Sequence, residues 1–313
     1  MRSTRRVVIA VIAMAAGLSA CQPLPLQATP SAAAIAPAMA STAARRPEVL
    51  LLGEQHDQPD QQRQIAAELA ALITRQRLQA LVLEMVDDGH DSRALASDAS
   101  EAAVREALAW SEAGWPWDTY RAVVMTAVRA GVPVLGGNLP RRAMGAAMAE
   151  AGLDTLLAPA AREQVQRAVD EGHCGLLPPA QLPGMVRIQI ARDQRLAEVI
   201  ERTRLLGFNG VSSTSPLATN EPVIALHAGE QHVARDRGVP VHLLRLGWPA
   251  SQVRVLAFSD SDLLVDERRP AERTASIDHC AGLREQLARP RTQLAAPASG
   301  AGSAAGSAAG SAP

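Results

Sequence analysis

Short apolar runs separated by stretches of helical period constrain this chain more than any other feature. EVLLL (48–52), ALVLE (80–84), VPVL (132–135), PVIALH (222–227), PVHLLR (240–245) and VRVLAF (253–258) read as strands. Between the first two runs, Ile65, Leu69, Leu72 and Ile73 recur at helical spacing, and Pro59 suits a first turn. Further helices are predicted at about 101–110, 118–130, 141–151 and 160–171, with a long one at about 184–206. The pattern predicts the α/β class: a single domain with a mostly parallel central β-sheet flanked by helices.

The N-terminal stretch sets the expected compartment. MRSTRR is basic, VVIAVIAMAAG is apolar but too short for a membrane span, and LSAC ends in a small-residue cleavage site. Leu18, Ser19, Ala20 and Cys21 have the form of a bacterial lipobox; an ordinary signal with an incidental cysteine is the alternative. The expected organisation is a lipoprotein signal peptide at 1–20, lipidated Cys21 and a flexible linker over 21–47, the α/β domain at 48–290, and a disordered low-complexity tail at 291–313. Such a chain is held on a membrane through its lipid anchor. Gln22, in place of an aspartate, points to the outer membrane and a periplasm-facing domain.

Charge excludes some chemistry. The net charge is -1, which gives no bias toward nucleic acid, and all 31 basic residues are arginine. Schiff-base lysines and phosphate-loop lysines are therefore excluded. Cys174 and Cys280 fall in a compartment that permits disulfides. A pair, two buried thiols, or a metal site with His173 all remain open at this level.

Two short stretches echo each other: LLGEQHD at 51–57 and GEQH at 229–232. The residues that follow them differ, so the echo reflects position rather than duplication. In open α/β sheets the ligand crevice lies beyond the carboxyl ends of the strands. Glu54 and His56, Glu84, Asn138, and His227 and His232 all fall at such ends. Together they could bind a divalent metal or act as acid and base without one. Capping and hydrogen-bonded burial are the structural alternatives, most of all for His227. Neither GEQH has the spacing of a helical zinc-protease motif.

The chain has seven aromatic residues, and GWPWDTY (114–120) holds three of them. Trp115 and Trp117 either plug one end of the core or offer a flat surface to a planar ligand. On the second reading Tyr120 is a phenolate able to ligate ferric haem iron, and Arg121, Arg141 and Arg142 face haem propionates. Gln189, Arg192 and Asp193 could point back to the crevice, although a solvated helix face also accounts for such charges.

At these residues the chain resembles the ChaN-like family of iron-regulated, haem-binding bacterial lipoproteins, within the Tiki/erythromycin-esterase-like superfamily. The matching stretches are LLGEQHDQPDQQ (51–62), LVLEM (81–85), GWPWDTY (114–120), GVPVLGGNLPR (131–141), QIARDQRLA (189–197) and HAGEQHVARDRGVPVHL (227–243). The resemblance implies a parallel-sheet fold, a role in haem or iron uptake, and a homodimer holding haem between subunits. It carries Glu54, His56, Glu84, Asn138 and His232 onto the superfamily's polar motif positions, and Tyr120 onto the aromatic motif. HCGLLPP (173–179) and DHC (278–280) are also family-like and support a disulfide between Cys174 and Cys280. Glu230 departs from the glycine-rich turn usual at its place. The expected function is that of a haem-binding lipoprotein in haem or iron uptake. The rival is a hydrolase in which Glu54, His56, Glu84 and His232 hold a metal or activate water against an ester or amide. A scaffold for partner proteins is the third reading.

Overall fold

Alternation along the first strand sets the layers. In β1 (Glu48–Glu54), Leu50 and Leu52 enter one core while Val49 and Leu51 enter another on the opposite face. Successive strand side chains point to opposite faces, so a strand apolar at every position needs cover on both sides. β2 (Leu78–Asp87), β3 (Val134–Asn138), β4 (Val223–Gly229), β5 (Val253–Ala257) and β6 (Glu267–Arg268) complete a six-stranded sheet. Its order is β3-β2-β4-β1-β5-β6, with every pair parallel. The computed structural model from which this derives describes residues 48–207, 221–269 and 279–288. The expected signal peptide, Cys21, linker and tail lie outside the described residues.

The α/β class is the one the apolar runs predict. The helices among the described residues are α1 (Pro59–Thr74), α2 (Glu101–Ala107), α3 (Trp117–Arg129), α4 (Met144–Ala149), α5 (Pro159–Gly172), α6 (Leu182–Leu206), α7 (Glu230–Val233), α8 (Val239–Arg245) and α9 (His279–Ala288). Helices α1 and α3 cover one face through Ile65, Leu69, Val123, Val124 and Ala127. Helices α6 and α8 cover the other through Leu196, Ile200, Val239 and Leu243. A third cluster ties α4 and α5 to the N-terminal half of α6 around Ala147, Val165, Val186 and Ile190. Among the described residues, no helix is long and apolar enough to cross a membrane.

One expected strand is a helix. PVHLLR at 240–245 lies in α8, whose buried Val239 and Leu243 stand four residues apart on one helical face. Gly238 precedes it where an added Cβ would sit 2.2 Å from the His232 carbonyl oxygen, and Pro240 fits the first helical turn. Strand β6 has two residues and leaves no periodic trace in the sequence.

Cys174, just past α5, is disulfide-bonded to Cys280 in α9 across 106 residues. Closing so long a loop removes chain entropy from the unfolded state, about 4–5 kcal/mol in the loop-entropy account.

Close backbone approach fixes the end of β3. An added Cβ on Gly136 would lie 2.1 Å from the Asp87 carbonyl oxygen and 2.8 Å from its carbon, both main-chain atoms with no room to yield. Gly145 on α4 has nothing within 4 Å of that position. Gly136→Ala is therefore expected to destabilise by about 1–3 kcal/mol, and Gly145→Ala to stabilise by about 0.5–1 kcal/mol. Thermal unfolding followed by circular dichroism checks both, at about 2–4 °C per kcal/mol for a domain of this size.

Candidate functional site

The sheet order brings the carboxyl ends of β1, β2, β3 and β4 together, since β4 lies between β1 and β2 and pairs with both. Leu52 of β1 and Leu83 of β2 are each in register with His227 of β4, and Glu54 is in register with Gly229. The polar residues that end these strands therefore share one place. They form the floor of a cleft of about 940 Å³ whose lining includes Glu54, His56, Glu84, Asn138, Gly229 and His232.

On one side of the floor, Glu54 is 1% exposed. Its Oε1 lies 2.8 Å from His56 Nδ1 and accepts a hydrogen bond from the Tyr120 hydroxyl at 3.1 Å. His227 Nε2 is 2.9 Å from Glu54 Oε2 but is not aligned for a hydrogen bond, and both ring nitrogens of this fully buried histidine lack a hydrogen-bonding partner. Burial alone would raise the Glu54 pKa; His227 and His56 outweigh it and hold the carboxyl below its ordinary range. His56 is shifted upward: burial opposes protonation, but the bond to Glu54 and the charge of Glu84 favour it more strongly.

On the other side, Glu84 accepts a hydrogen bond from the Gly229 N–H at 2.7 Å, and its other oxygen lies 3.1 Å from His232 Nε2. The Nδ1 of His232 is 2.5 Å from Asp193 on α6. Gln189, one helical turn before Asp193, has its amide 3.2 Å from each ring nitrogen. His232 thus sits between two carboxylates. Burial disfavours its charge, yet Glu84 and Asp193 raise its pKa to about 10. Glu84 would be raised by burial, but His232, His56 and the Gly229 N–H hold it well below the carboxylate range. The two halves meet where His56 Nε2 lies 3.8 Å from Glu84 Oε2.

The two GEQH stretches are opposite walls of this floor. An added Cβ on Gly229 would lie 2.7 Å from His56 Nε2, and one on Gly53 would lie 2.4 Å from Val233 Cγ2. Each glycine clears space for the other stretch. The stretches are not equivalent in role. Glu54 is buried against His56 and Tyr120, whereas Glu230 accepts hydrogen bonds from the hydroxyls of Ser259 and Ser261.

Several expectations change. Tyr120 is 1% exposed and donates to Glu54; burial and then the Glu54 charge push its pKa far upward. It is a neutral buried phenol here, not a phenolate facing a ligand. Trp115 lines the cleft, edge-on to His56 with ring centroids 4.8 Å apart. Trp117 is instead buried against Trp110, and its indole N–H donates to Glu101. Arg121 pairs with Glu101 and Arg142 is surface-exposed, so of the three expected propionate arginines only Arg141 lines the cleft. Asn138 lines it too, with its Oδ1 accepting from the Leu139 N–H. His227 is the buried histidine expected, but without the expected hydrogen bond.

Glu54, His56, Glu84 and His232 do converge, yet among the described residues no group of three or more His, Cys, Asp or Glu is arranged to hold a metal ion. The carboxylates are turned toward imidazoles and a main-chain N–H rather than toward a common point. That geometry holds protons. Gln189 and Asp193, for which the sequence left a crevice position and a solvated helix face both open, do reach the site, four residues apart on one helical face.

A family model described as haem-binding uptake, Tiki superfamily, ChaN matches residues 40–243. A solved structure described as cofacial heme binding to ChaN of Campylobacter jejuni matches at 21% identity, covering 70% of this chain and 84% of that chain, with a TM-score of 0.53. At that identity the likeness is one of fold. No curated protein matches the chain.

The triad around His232 predicts a pH dependence of stability. With its folded pKa raised from 6.5 to about 10, His232 contributes stability that is full below 6.5 and lost as pH rises toward 10. On the acid side Glu84, lowered from 4.5, loses its contribution as pH falls, while Asp193, raised by burial from 3.8 to about 6, runs the other way. On the alkaline side the two raised histidines, His232 and His56, act in the same direction. Melting temperature measured against pH should fall between 6.5 and about 10, and His232→Asn should flatten that fall whatever its effect on absolute stability.

Proposed function

The chain belongs to the ChaN family of the Tiki superfamily, described as haem-binding uptake, and we propose that it binds haem in the cleft at the carboxyl ends of β1 to β4. The observation that carries this reading is His56. Its side chain is 39% exposed at the cleft, and Nδ1 is held at 2.8 Å by the buried carboxylate of Glu54. A carboxylate behind an imidazole fixes its tautomer and raises its basicity, the arrangement typical of metal-ligating histidines. His56 is thus the group for haem iron, and Trp115 beside it gives a planar macrocycle an aromatic wall. Met85 and Met144 add apolar, adaptable lining. The cleft falls within the range of about 300–1,000 Å³ usual for small-molecule sites.

Lipidation at Cys21, a tether over 21–47 and a periplasm-facing position at the outer membrane complete the proposal, supported by the lipobox. In that setting the protein is a haem carrier for iron uptake. A homodimer that closes the cleft of one copy with the other is part of the same reading.

Haemin titration of the purified chain, followed in the Soret region, tests it. A saturable shift is expected, and its absence overturns the reading. His56→Ala should shift the Soret maximum and weaken binding. Glu54→Gln should weaken binding by about 10- to 100-fold through the lost hold on Nδ1. Tyr120→Phe should leave the maximum in place, because the phenol is turned to Glu54.

A further inference from the structure

Arginine pairing is nearly complete in this protein. Among the described residues, every half-buried arginine but one makes a hydrogen bond or an ion pair: Arg162 and Arg187 share Asp154, Arg195 meets Asp88, and Arg235 meets Asp266. The exception is Arg192 on α6. Its Nε is buried and has no hydrogen-bonding partner, and the side chain lines the cleft. Its neighbour Asp193 feels the Arg192 charge but is turned to His232 and makes no hydrogen bond or ion pair with the guanidinium. Burying part of a cation with no acceptor bonded to it is costly, so a side chain held this way marks a place for an anion.

The rest of the lining agrees. Glu54, Glu84 and Glu230 are each engaged by histidines, a tyrosine, a main-chain N–H or serine hydroxyls. Asp87 is the one cleft carboxylate whose side chain makes neither a hydrogen bond nor an ion pair among the described residues. Arg141 also lines the cleft, in the turn that leads into α4, and likewise makes no ion pair there. Helix α4 packs along α6 through Ala147 and Ile190, so the two arginines belong to adjoining elements of one wall.

We infer that Arg192, assisted by Arg141, is the anion seat of the cleft and selects ligands that carry free carboxylates. The inference rests on the haem reading and adds to it a chemical requirement: the macrocycle would be recognised through its propionates as well as its metal. Arginine suits this because its planar fork gives a carboxylate two parallel, charge-assisted hydrogen bonds.

The test compares haemin with its iron dimethyl ester, in which both carboxylates are masked, by Soret titration of the purified chain. The wild type should prefer haemin by about tenfold or more, the worth of a charge-assisted hydrogen bond. Arg192→Gln should bring the ratio toward one by weakening haemin alone, with ester affinity unchanged. Arg192→Lys, which keeps the charge but not the fork, should fall between, and Arg141→Gln should cause a smaller loss. Removing an unpaired cation should not lower the melting temperature of ligand-free protein, which separates recognition from folding. Equal wild-type affinity for both compounds overturns the inference and leaves the haem reading standing, as does a preference that survives Arg192→Gln. If neither compound gives a saturable shift, the haem reading fails and this inference fails with it.

Discussion

His232 held between Glu84 and Asp193 is the interaction around which the cleft is organised. Glu84 ends β2, His232 belongs to the helix that follows β4, and Asp193 stands on α6 behind the sheet. A single imidazole thus joins the second strand, the fourth strand and the long helix. The Gly229 N–H on the same carboxylate adds a main-chain tie between β2 and β4 at the lip of the cleft. Losing one member of such a buried charged group leaves the others uncompensated, at about 3–5 kcal/mol, although an apolar replacement of the whole group could be as stable. Its retention is therefore better explained by what it holds in position than by its contribution to stability.

What it holds is the floor under His56. Glu84 lies behind one edge of that ring and Glu54 grips the other, so His56 is confined without being fully buried. Tyr120 and His227 pack behind Glu54 from α3 and β4, and keep water from its carboxylate. The site has a rigid, desolvated rear and an accessible front. Preorganisation of that kind reduces the ordering cost of binding.

Much of this was legible in the sequence, for identifiable reasons. Five of the six runs read as strands are strands, because parallel strands covered on both faces must be apolar throughout. PVHLLR was misread because a buried helix of seven residues is too short for its period to separate it from a strand. The strand-end residues Glu54, Glu84, Asn138 and His232 were found because topology alone sends such positions to one crevice. Topology does not say which side chains turn inward once there. Tyr120 and Trp117 lie on the buried face of α3 while Trp115, which precedes the helix, lines the cleft, a difference that three neighbouring aromatics cannot reveal. Arg121 has Glu101 to bind and Arg192 has no such partner, and that depends on contacts between residues far apart in the chain.

The bond between Cys174 and Cys280 makes a covalent ring of the second half of the domain. Within that ring lie α6 with Asp193 and Arg192, β4 with His227, α7 with His232, and β5. A protease that cuts once anywhere between the two cysteines leaves both pieces attached to the same molecule. The cleft walls supplied by α6 and β4 would remain at high effective concentration relative to each other, so a nicked chain can keep its site assembled. The crosslink thus acts as insurance against backbone damage.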